Sequence, residues 1–467
     1  MREDYRLRYV STRGGAAPLG FCDATLAGLA PDGGLFVPEQ YPTPVDVAAL
    51  SGKSFEDQAL TVMSAFAGGE ISDQDLAADV DAAMATFSHA ARTPLVQIGP
   101  NEFLLELFHG PTLAFKDVAM QTLARLMDRI LKARGRRATI ITATSGDTGA
   151  AAADAFRGRD NIDLFILFPE GRVSEVQRRQ MTTIADDNVH ALSVAGDFDD
   201  CQRIVKALFV DRDFNDQVAM SGVNSINWAR VAAQITYYFY AGLSLGGRPV
   251  AFTVPTGNFG DILAGYVAKQ MGLAVDQLVI ATNKNDILDR GVRTGSFVPG
   301  TVTPSTSPSM DIQVSSNFER LMFDLSGRDP ASIQSRLADT RAGFSLTEDE
   351  HAKLTALFAS GRCDDVLAGE RIAKTYADTG ILVDTHTAVG LAAADMAPRR
   401  EGVPMVTLAT AHPAKFPDAV EAASGIRPTP PARLAHVLDA PERATPVAAD
   451  TRAVADVVLA RSRAVTA

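Results

Sequence analysis

Four short stretches of this chain combine reactive side chains with turns that would place them at the ends of regular elements. The first is His109-Gly-Pro-Thr-Leu-Ala-Phe-Lys-Asp117, where a Gly-Pro turn leads into a helical pattern through Met120, Leu123, Ala124 and Met127. That pattern sets Lys116 near a helix N-terminus, the wrong end of the dipole for a cation, which lowers its pKa. Only a neutral amine attacks an aldehyde, so a lysine so placed suits Schiff-base chemistry. Alone it would more often be a solvated surface lysine, so its neighbours must decide.

The second stretch, Thr144-Ser-Gly-Asp-Thr-Gly149, directly follows the strand-like run Ala138-Thr-Ile-Ile-Thr142. A small hydroxyl-rich loop passing from strand to helix offers N–H groups and hydroxyls to a carboxylate or a phosphate. It serves equally as a helix cap, with Ser145 or Asp147 bonding the first turn. The third, Pro255-Thr-Gly-Asn-Phe-Gly-Asp261, again separates an apolar strand from a helical pattern over 262–271. Its glycines let the backbone approach an anion, with Asn258 and free N–H groups as the cradle. The fourth, Thr407-Leu-Ala-Thr-Ala-His-Pro-Ala-Lys-Phe416, ends a strand at Thr410. Such a hydroxyl is usually a cap, but strand ends at the carboxyl side of an α/β sheet line the ligand crevice.

Other chemistries find no support. The seven histidines (89, 109, 190, 351, 386, 412 and 436) form no HExxH and no local ligand cluster, so no metal site is expected. A Gly-x-Ser-x-Gly elbow, a Walker loop and a GxGxxG fingerprint are all absent from the sequence.

These stretches need a scaffold of strands leading into helices, and the pattern supplies one. Residues 1–90 read as a separate, mainly helical unit after a short extended start. Gly14-Gly15, Pro31-Asp-Gly-Gly34 and Tyr41-Pro-Thr-Pro44 punctuate its first half. From Thr93, β-rich runs at 138–142, 164–168, 189–194, 250–254, 278–281 and 405–408 alternate with helical patterns. The latter lie near 146–157, 173–185, 198–210, 228–242, 260–271 and 366–379. That alternation predicts parallel sheets with crossover helices. Thr301–Ser309 and Ile426–Pro446, the latter with five prolines, read as loops, the first as an ordinary connector. Val454, Val457 and Val458 predict a docked terminal helix.

Composition narrows the function classes. The chain has 467 residues, at ~150 per domain room for about three domains, with 46% apolar and 21% charged residues. A net charge of −12 disfavours nucleic acid. The basic cluster Lys132, Arg134, Arg136 and Arg137 beside Gly135 reads as a helix end. Cys22, Cys201 and Cys363 are scattered, suiting a reducing compartment. No apolar run reaches a membrane span, and Met1–Arg6 lacks a signal-peptide core. The expectation is a soluble, cytoplasmic protein.

Taken in order, the loops resemble one family, the threonine synthases of the long microbial and fungal type, among pyridoxal 5′-phosphate enzymes of the tryptophan-synthase-β fold. The resemblance rests on His109–Asp117, Ala143–Gly149, Asn224-Ser-Ile-Asn-Trp-Ala-Arg230, Pro255–Asp261 and Ala411–Phe416, which keep the family's order. Tyr9–Gly14 and Asp32–Phe36 resemble its N-terminal domain. Asp384-Thr-His-Thr-Ala-Val-Gly390 is similar to a further family string that carries proline at position 385.

The resemblance implies an α/β protein of the type II pyridoxal-phosphate fold, with two parallel or mixed sheets flanked by helices and a mainly helical N-terminal domain. Residues 1–90 would be that domain. Residues 91–467 would be the catalytic region, its smaller subdomain at roughly 118–245, with a C-terminal helical extension. Lys116 would bind pyridoxal 5′-phosphate as a Schiff base and then shuttle protons. Gly257, Asn258, Phe259 and Gly260 would hold the cofactor phosphate, and Thr410 would face the pyridine nitrogen. Ser145, Gly146, Asp147 and Thr148 would cradle the substrate α-carboxylate, and Asn224, Ser225, Asn227 and Arg230 its phosphate. The implied reaction is O-phospho-L-homoserine plus water to L-threonine plus phosphate, with a monomer as the working state. A phospho-lyase or dehydratase acting on a related amino acid is the enzymatic alternative. A binding-only protein has no use for the lysine.

Overall fold

The computed structural model describes residues 7–43 and 45–465. The reading of Met1–Arg6 and the Pro44 end of the Tyr41 turn lie outside the described residues.

Two sheets carry the catalytic motifs. The larger runs in the order Phe358–Arg362, Val275–Thr282, Val250–Pro255, Met405–Ala409, Glu102–Glu106 and Leu95–Gly99. Its strands are parallel except the last pair, a hairpin. The smaller runs Thr445–Ala448, Val189–Ala195, Ile162–Pro169, Ala138–Ala143 and Met220–Ser221, all parallel. Every residue of Val250–Pro255 and Ile162–Pro169 is buried. Helices on both faces of a parallel sheet require such largely apolar strands, broken here only by Asp163 and Thr253, which is why the strands were legible. The 18-residue helix Lys116–Ala133 and the 17-residue helix Trp228–Ser244 pack on each other, and nearly every side chain of the latter is buried.

The N-terminal unit pairs Tyr9–Ser11 with Phe36–Pro38 and adds the helices Phe21–Ala27, Phe55–Ala67 and Asp73–Met84. Ser54 and Ser72 cap the last two by accepting from the N–H groups of Asp57 and Asp75. The unit shares one apolar core with the rest of the chain. Trp228 sits among its aromatics, 6.2 Å from the Tyr9 ring centroid and 5.6 Å from that of Phe66. Arg320, fully buried, donates to the carbonyls of Phe36 and Ile226 and so ties this unit to both halves of the catalytic region.

Three expectations need correction or extension. The stretch Ile426–Pro446 is not all loop, for it holds the helix Ala432–Asp439 and the start of the strand Thr445–Ala448. That strand lies at a sheet edge, where Pro446 costs no ladder bond. The smaller sheet therefore draws a strand from far beyond residues 118–245. The terminal helix, Thr451–Arg461, buries Val454 and Val458 against the helix Phe198–Val210. Thr385 is the first residue of the helix Thr385–Met396, the position where proline is tolerated. In its place the Thr385 hydroxyl donates to the Thr306 carbonyl at 2.7 Å.

Candidate functional site

All five motifs follow the carboxyl ends of strands, where an α/β sheet opens its crevice. Glu102–Glu106 leads to Lys116, Ala138–Ala143 to the 144–149 loop, and Met220–Ser221 to Asn224. Val250–Pro255 leads to Gly257–Gly260, and Met405–Ala409 to Thr410 and Lys415.

Lys116 opens its helix, as the Gly-Pro turn predicts. The turn is locked by Asp117, whose carboxylate accepts from the Thr112 N–H and hydroxyl at 2.8 and 2.6 Å. Burial is the largest cause that lowers the Lys116 pKa. Asp147 acts in the other direction, while the charges of Lys415 and Arg230 lower it further. The amine is therefore biased toward the neutral, nucleophilic form.

The 144–149 loop departs from the capping expectation. Neither Ser145 nor Asp147 caps the following helix. Thr144 Oγ1 accepts from the N–H groups of Gly146 and Gly149, both at 2.9 Å. The N–H groups of Ser145, Asp147 and Thr148 donate to no described residue and remain free for an anion. The Asp147 side chain is not free. It pairs with Lys415 at 2.7 Å and Lys116 at 3.6 Å, and accepts from Gln177 Nε2 at 2.9 Å and Ser309 Oγ at 3.2 Å. Burial alone would raise its pKa, but the Lys415 and Lys116 ammonium groups pull it well below the carboxylate range. Asp147 can thus serve an anionic ligand only through its backbone.

The N–H groups of Gly257, Asn258, Phe259 and Gly260 likewise find no acceptor among the described residues, at the head of the helix Gly260–Gln270. Phe259 holds a left-handed φ of 65°, its ring buried against Phe318 at 5.1 Å. The loop is clamped from outside. Ser315 Oγ donates to the Gly257 carbonyl at 2.7 Å, and Asn317 Nδ2 to the Asn258 carbonyl at 3.1 Å. Behind it, Asp261 accepts from both Tyr237 and Tyr238, and burial raises its carboxyl to about 6. Thr410, 5% exposed, makes no side-chain hydrogen bond among the described residues, while its carbonyl accepts from the Phe115 N–H at 2.8 Å.

The 224–230 string divides. Arg230 is 3% exposed and, among the described residues, donates only to the Val223 carbonyl and has no carboxylate partner, its Nε being buried and unbonded. Burial lowers its pKa to about 10, and it stands near enough to Lys116 to disfavour a charge there. A buried guanidinium without a counter-ion is a built receptor for an anion. Asn224 and Ser225 are half-buried beside it in sequence, with Asn224 Oδ1 only weakly engaged by Thr142 at 3.5 Å. Asn227 is a correction. It is fully buried, caps the Trp228–Ser244 helix, and spends both amide protons on the Thr25 and Gly222 carbonyls, leaving no donor for a ligand.

Sequence reasoning missed several members. Lys415 lies within a matching string, where the sequence assigns it no role. Ser309 ends the loop read as a connector, yet it reaches Asp147 and presents its N–H to His386 Nε2 at 3.3 Å. That donation places the imidazole proton on Nδ1, facing Asp384 at 2.7 Å. Ser, Thr and Pro composition was the only signal for the loop. A separate cleft of about 660 Å³ lies beside the His109 turn, lined by Glu106, His109, His412 and Arg433, and touches none of the groups above. No cluster of metal-ligating residues occurs among the described residues.

Comparison with known proteins agrees with this geometry. Residues 86–410 match the family model for pyridoxal-phosphate dependent enzymes, residues 8–84 that for the threonine synthase N terminus, and residues 387–458 that for the threonine synthase C-terminal region. The chain is 51% identical to a threonine synthase of Pseudomonas aeruginosa, over 94% of this chain and 95% of that one. It is 42% identical to the Saccharomyces cerevisiae threonine synthase over 88% of each. The structure of a pyridoxal-phosphate-bound threonine synthase from Brucella melitensis superposes with a TM-score of 0.96 at 53% identity, covering 98% of this chain and all of that one. The yeast enzyme superposes at 0.92 and 38%, covering 98% and 99%. Lysine, anion loops and unpaired arginine thus lie on a scaffold shared along its whole length, and the chain belongs to the threonine synthase family of pyridoxal-phosphate-dependent enzymes.

Proposed function

We propose that this chain converts O-phospho-L-homoserine and water into L-threonine and phosphate. The observation that carries the reading is Arg230, a buried cation lacking any anionic partner among the described residues and standing near the amine of Lys116, whose pKa is lowered. A substrate with an amine at one end and a phosphate at the other suits that pairing. The residues present also fit the cofactor. Four unused N–H groups at a helix N-terminus suit its phosphate, and a buried lysine biased toward neutrality suits its aldehyde.

When bound, pyridoxal phosphate supplies an electron sink for negative charge at the substrate α-carbon. Gly257, Asn258, Phe259 and Gly260 would hold its phosphate through the backbone, and Thr410 would offer a hydroxyl to the ring nitrogen. Lys116 would anchor it and, as a free amine, would carry the substrate α-proton away and back. Asp147 lies 3.6 Å from Lys116 Nζ, and its charge stabilises that lysine while it holds the proton. The free N–H groups of Ser145, Asp147 and Thr148 take the substrate α-carboxylate, and Gly146 shapes the turn with a φ of 146°. Arg230, with Asn224 and Ser225, takes the substrate phosphate.

Overall, the γ C–O bond breaks with its electron pair leaving on phosphate. The β-carbon exchanges one hydrogen for the hydroxyl of water, and the γ-carbon ends as a methyl group. Residues 1–90 serve as the N-terminal domain and 91–467 as the catalytic region, with a monomer as the working state. Three free, buried cysteines support a cytoplasmic setting, and the net charge of −12 speaks against a nucleic-acid partner. No helix among the described residues is long and apolar enough to cross a membrane.

Purified protein loaded with pyridoxal phosphate should release threonine and phosphate one for one from O-phospho-L-homoserine. Lys116→Ala should abolish turnover and the visible absorption of the lysine-bound cofactor. Phosphate accompanied by a keto acid would instead identify a phospho-lyase.

A further inference from the structure

The loop read as the α-carboxylate site contains a carboxylate of its own. An incoming anion at the N–H groups of Ser145, Asp147 and Thr148 meets the Asp147 side chain, which is 5% exposed and ionised. Like charges so placed would oppose binding unless a cation cancels one of them.

Two cations touch Asp147, and they are not equivalent. Lys116 Nζ, at 3.6 Å, must surrender its charge to act as a nucleophile. Lys415 has no such task. It is fully buried, its Nζ lies 2.7 Å from Asp147 Oδ1, and it also donates to the Thr112 carbonyl at 2.8 Å. It rises from the short turn Pro413–Lys415 after a strand of the larger sheet and meets a loop of the smaller one. Gln177 and Ser309 take the remaining acceptor positions of Asp147 and fix the carboxylate in place. Thr112 in turn is held by Gln180, at 3.1 Å from its carbonyl, and by Asp117.

We propose that Lys415 is a positioning residue that cancels the charge of Asp147, so that the 144–148 loop accepts the α-carboxylate of the substrate. The inference rests on the reading of that loop as the carboxylate site in the reaction proposed above. Lys415 then binds no substrate atom itself. Its effect is confined to ligands that carry a carboxylate.

Two ligands separate this role from direct phosphate binding. O-phospho-L-homoserine carries amine, phosphate and carboxylate, whereas 3-aminopropyl phosphate carries the same amine and phosphate without the carboxylate. Wild type, Lys415→Met, Asp147→Asn and the double variant would be assayed as cofactor-loaded enzyme, with KM for the first ligand and the competitive inhibition constant for the second. Lys415→Met should raise KM at least about thirtyfold and change the inhibition constant by less than about threefold. The double variant, a neutral pair, should return KM to within about fivefold of wild type.

Equal losses for both ligands in Lys415→Met would overturn the proposal, as would a folded double variant that regains nothing. Should Lys415→Met alone fail to fold, the double variant decides, with recovered KM supporting the proposal and a thirtyfold deficit contradicting it. A wild-type enzyme that leaves O-phospho-L-homoserine untouched would instead bring down the functional reading, and this proposal with it.

Discussion

Single residues here derive their chemistry from burial and neighbours rather than from type. Lys116 and Lys415 are both buried beside Asp147, yet burial and two neighbouring cations bias the first toward neutrality, while Lys415 is the closer partner of the carboxylate. His412 shows the same dependence with a measurable consequence. Burial and then the neighbouring His109 lower its pKa from 6.5 to about 4, and its Nδ1 accepts the Ala414 N–H at 3.1 Å. Between those two values the unfolded chain binds a proton that the native state refuses, so stability falls as pH drops through that window. His412→Asn keeps a capping acceptor and removes the titration. Melting temperatures taken between pH 7 and pH 4 should therefore fall less steeply for this variant than for wild type. Parallel curves would show that His412 does not contribute to the acid limb.

At the scale of elements, the site is a set of strand ends whose loops are held by other loops. Gly257 has no room for a side chain, since a Cβ would lie 2.7 Å from the Ser309 carbonyl oxygen and 3.3 Å from Met310 Cα. Gly257→Ala must push the anion loop away from the segment that clamps it. Overpacking of this kind typically costs about 1–3 kcal/mol, so affinity for pyridoxal phosphate should fall about tenfold or more, as read by titration of the cofactor absorbance. An unchanged dissociation constant would mean the loop has slack that these distances do not show.

Much of this scale was legible in the sequence. Fully buried strands announce themselves as apolar runs, and the loops after them stand out by glycine and hydroxyl content. What escaped has physical reasons. Phe358-Ala-Ser-Gly-Arg362 looks like a turn, but Gly361 is small because a Cβ there would lie 2.8 Å from Ala393 Cα. The helix Thr385–Met396 is buried on nearly every side and so shows no amphipathic period. Ser309 and Lys415 were hidden because their roles arise from contacts 162 and 268 residues away in sequence, both at Asp147. Asn227 misled in the opposite sense, as its side chain caps a helix and leaves nothing for a ligand.

At the scale of the whole molecule, the N-terminal unit closes the core over Trp228, and Arg320 links it to Asn317, which clamps the 257–260 loop. The two sheets meet where Lys415 and Lys116, each beyond a strand of the larger sheet, reach Asp147 in a loop of the smaller one. The proposed reaction replaces phosphate by water on a carbon skeleton rather than hydrolysing a phosphate ester at phosphorus. The distinction lies in which bond breaks, and isotope placement reads it directly. Turnover of O-phospho-L-homoserine in ¹⁸O-labelled water should put the label in the β-hydroxyl of threonine and leave the released phosphate unlabelled. Labelled phosphate accompanied by homoserine would contradict the account.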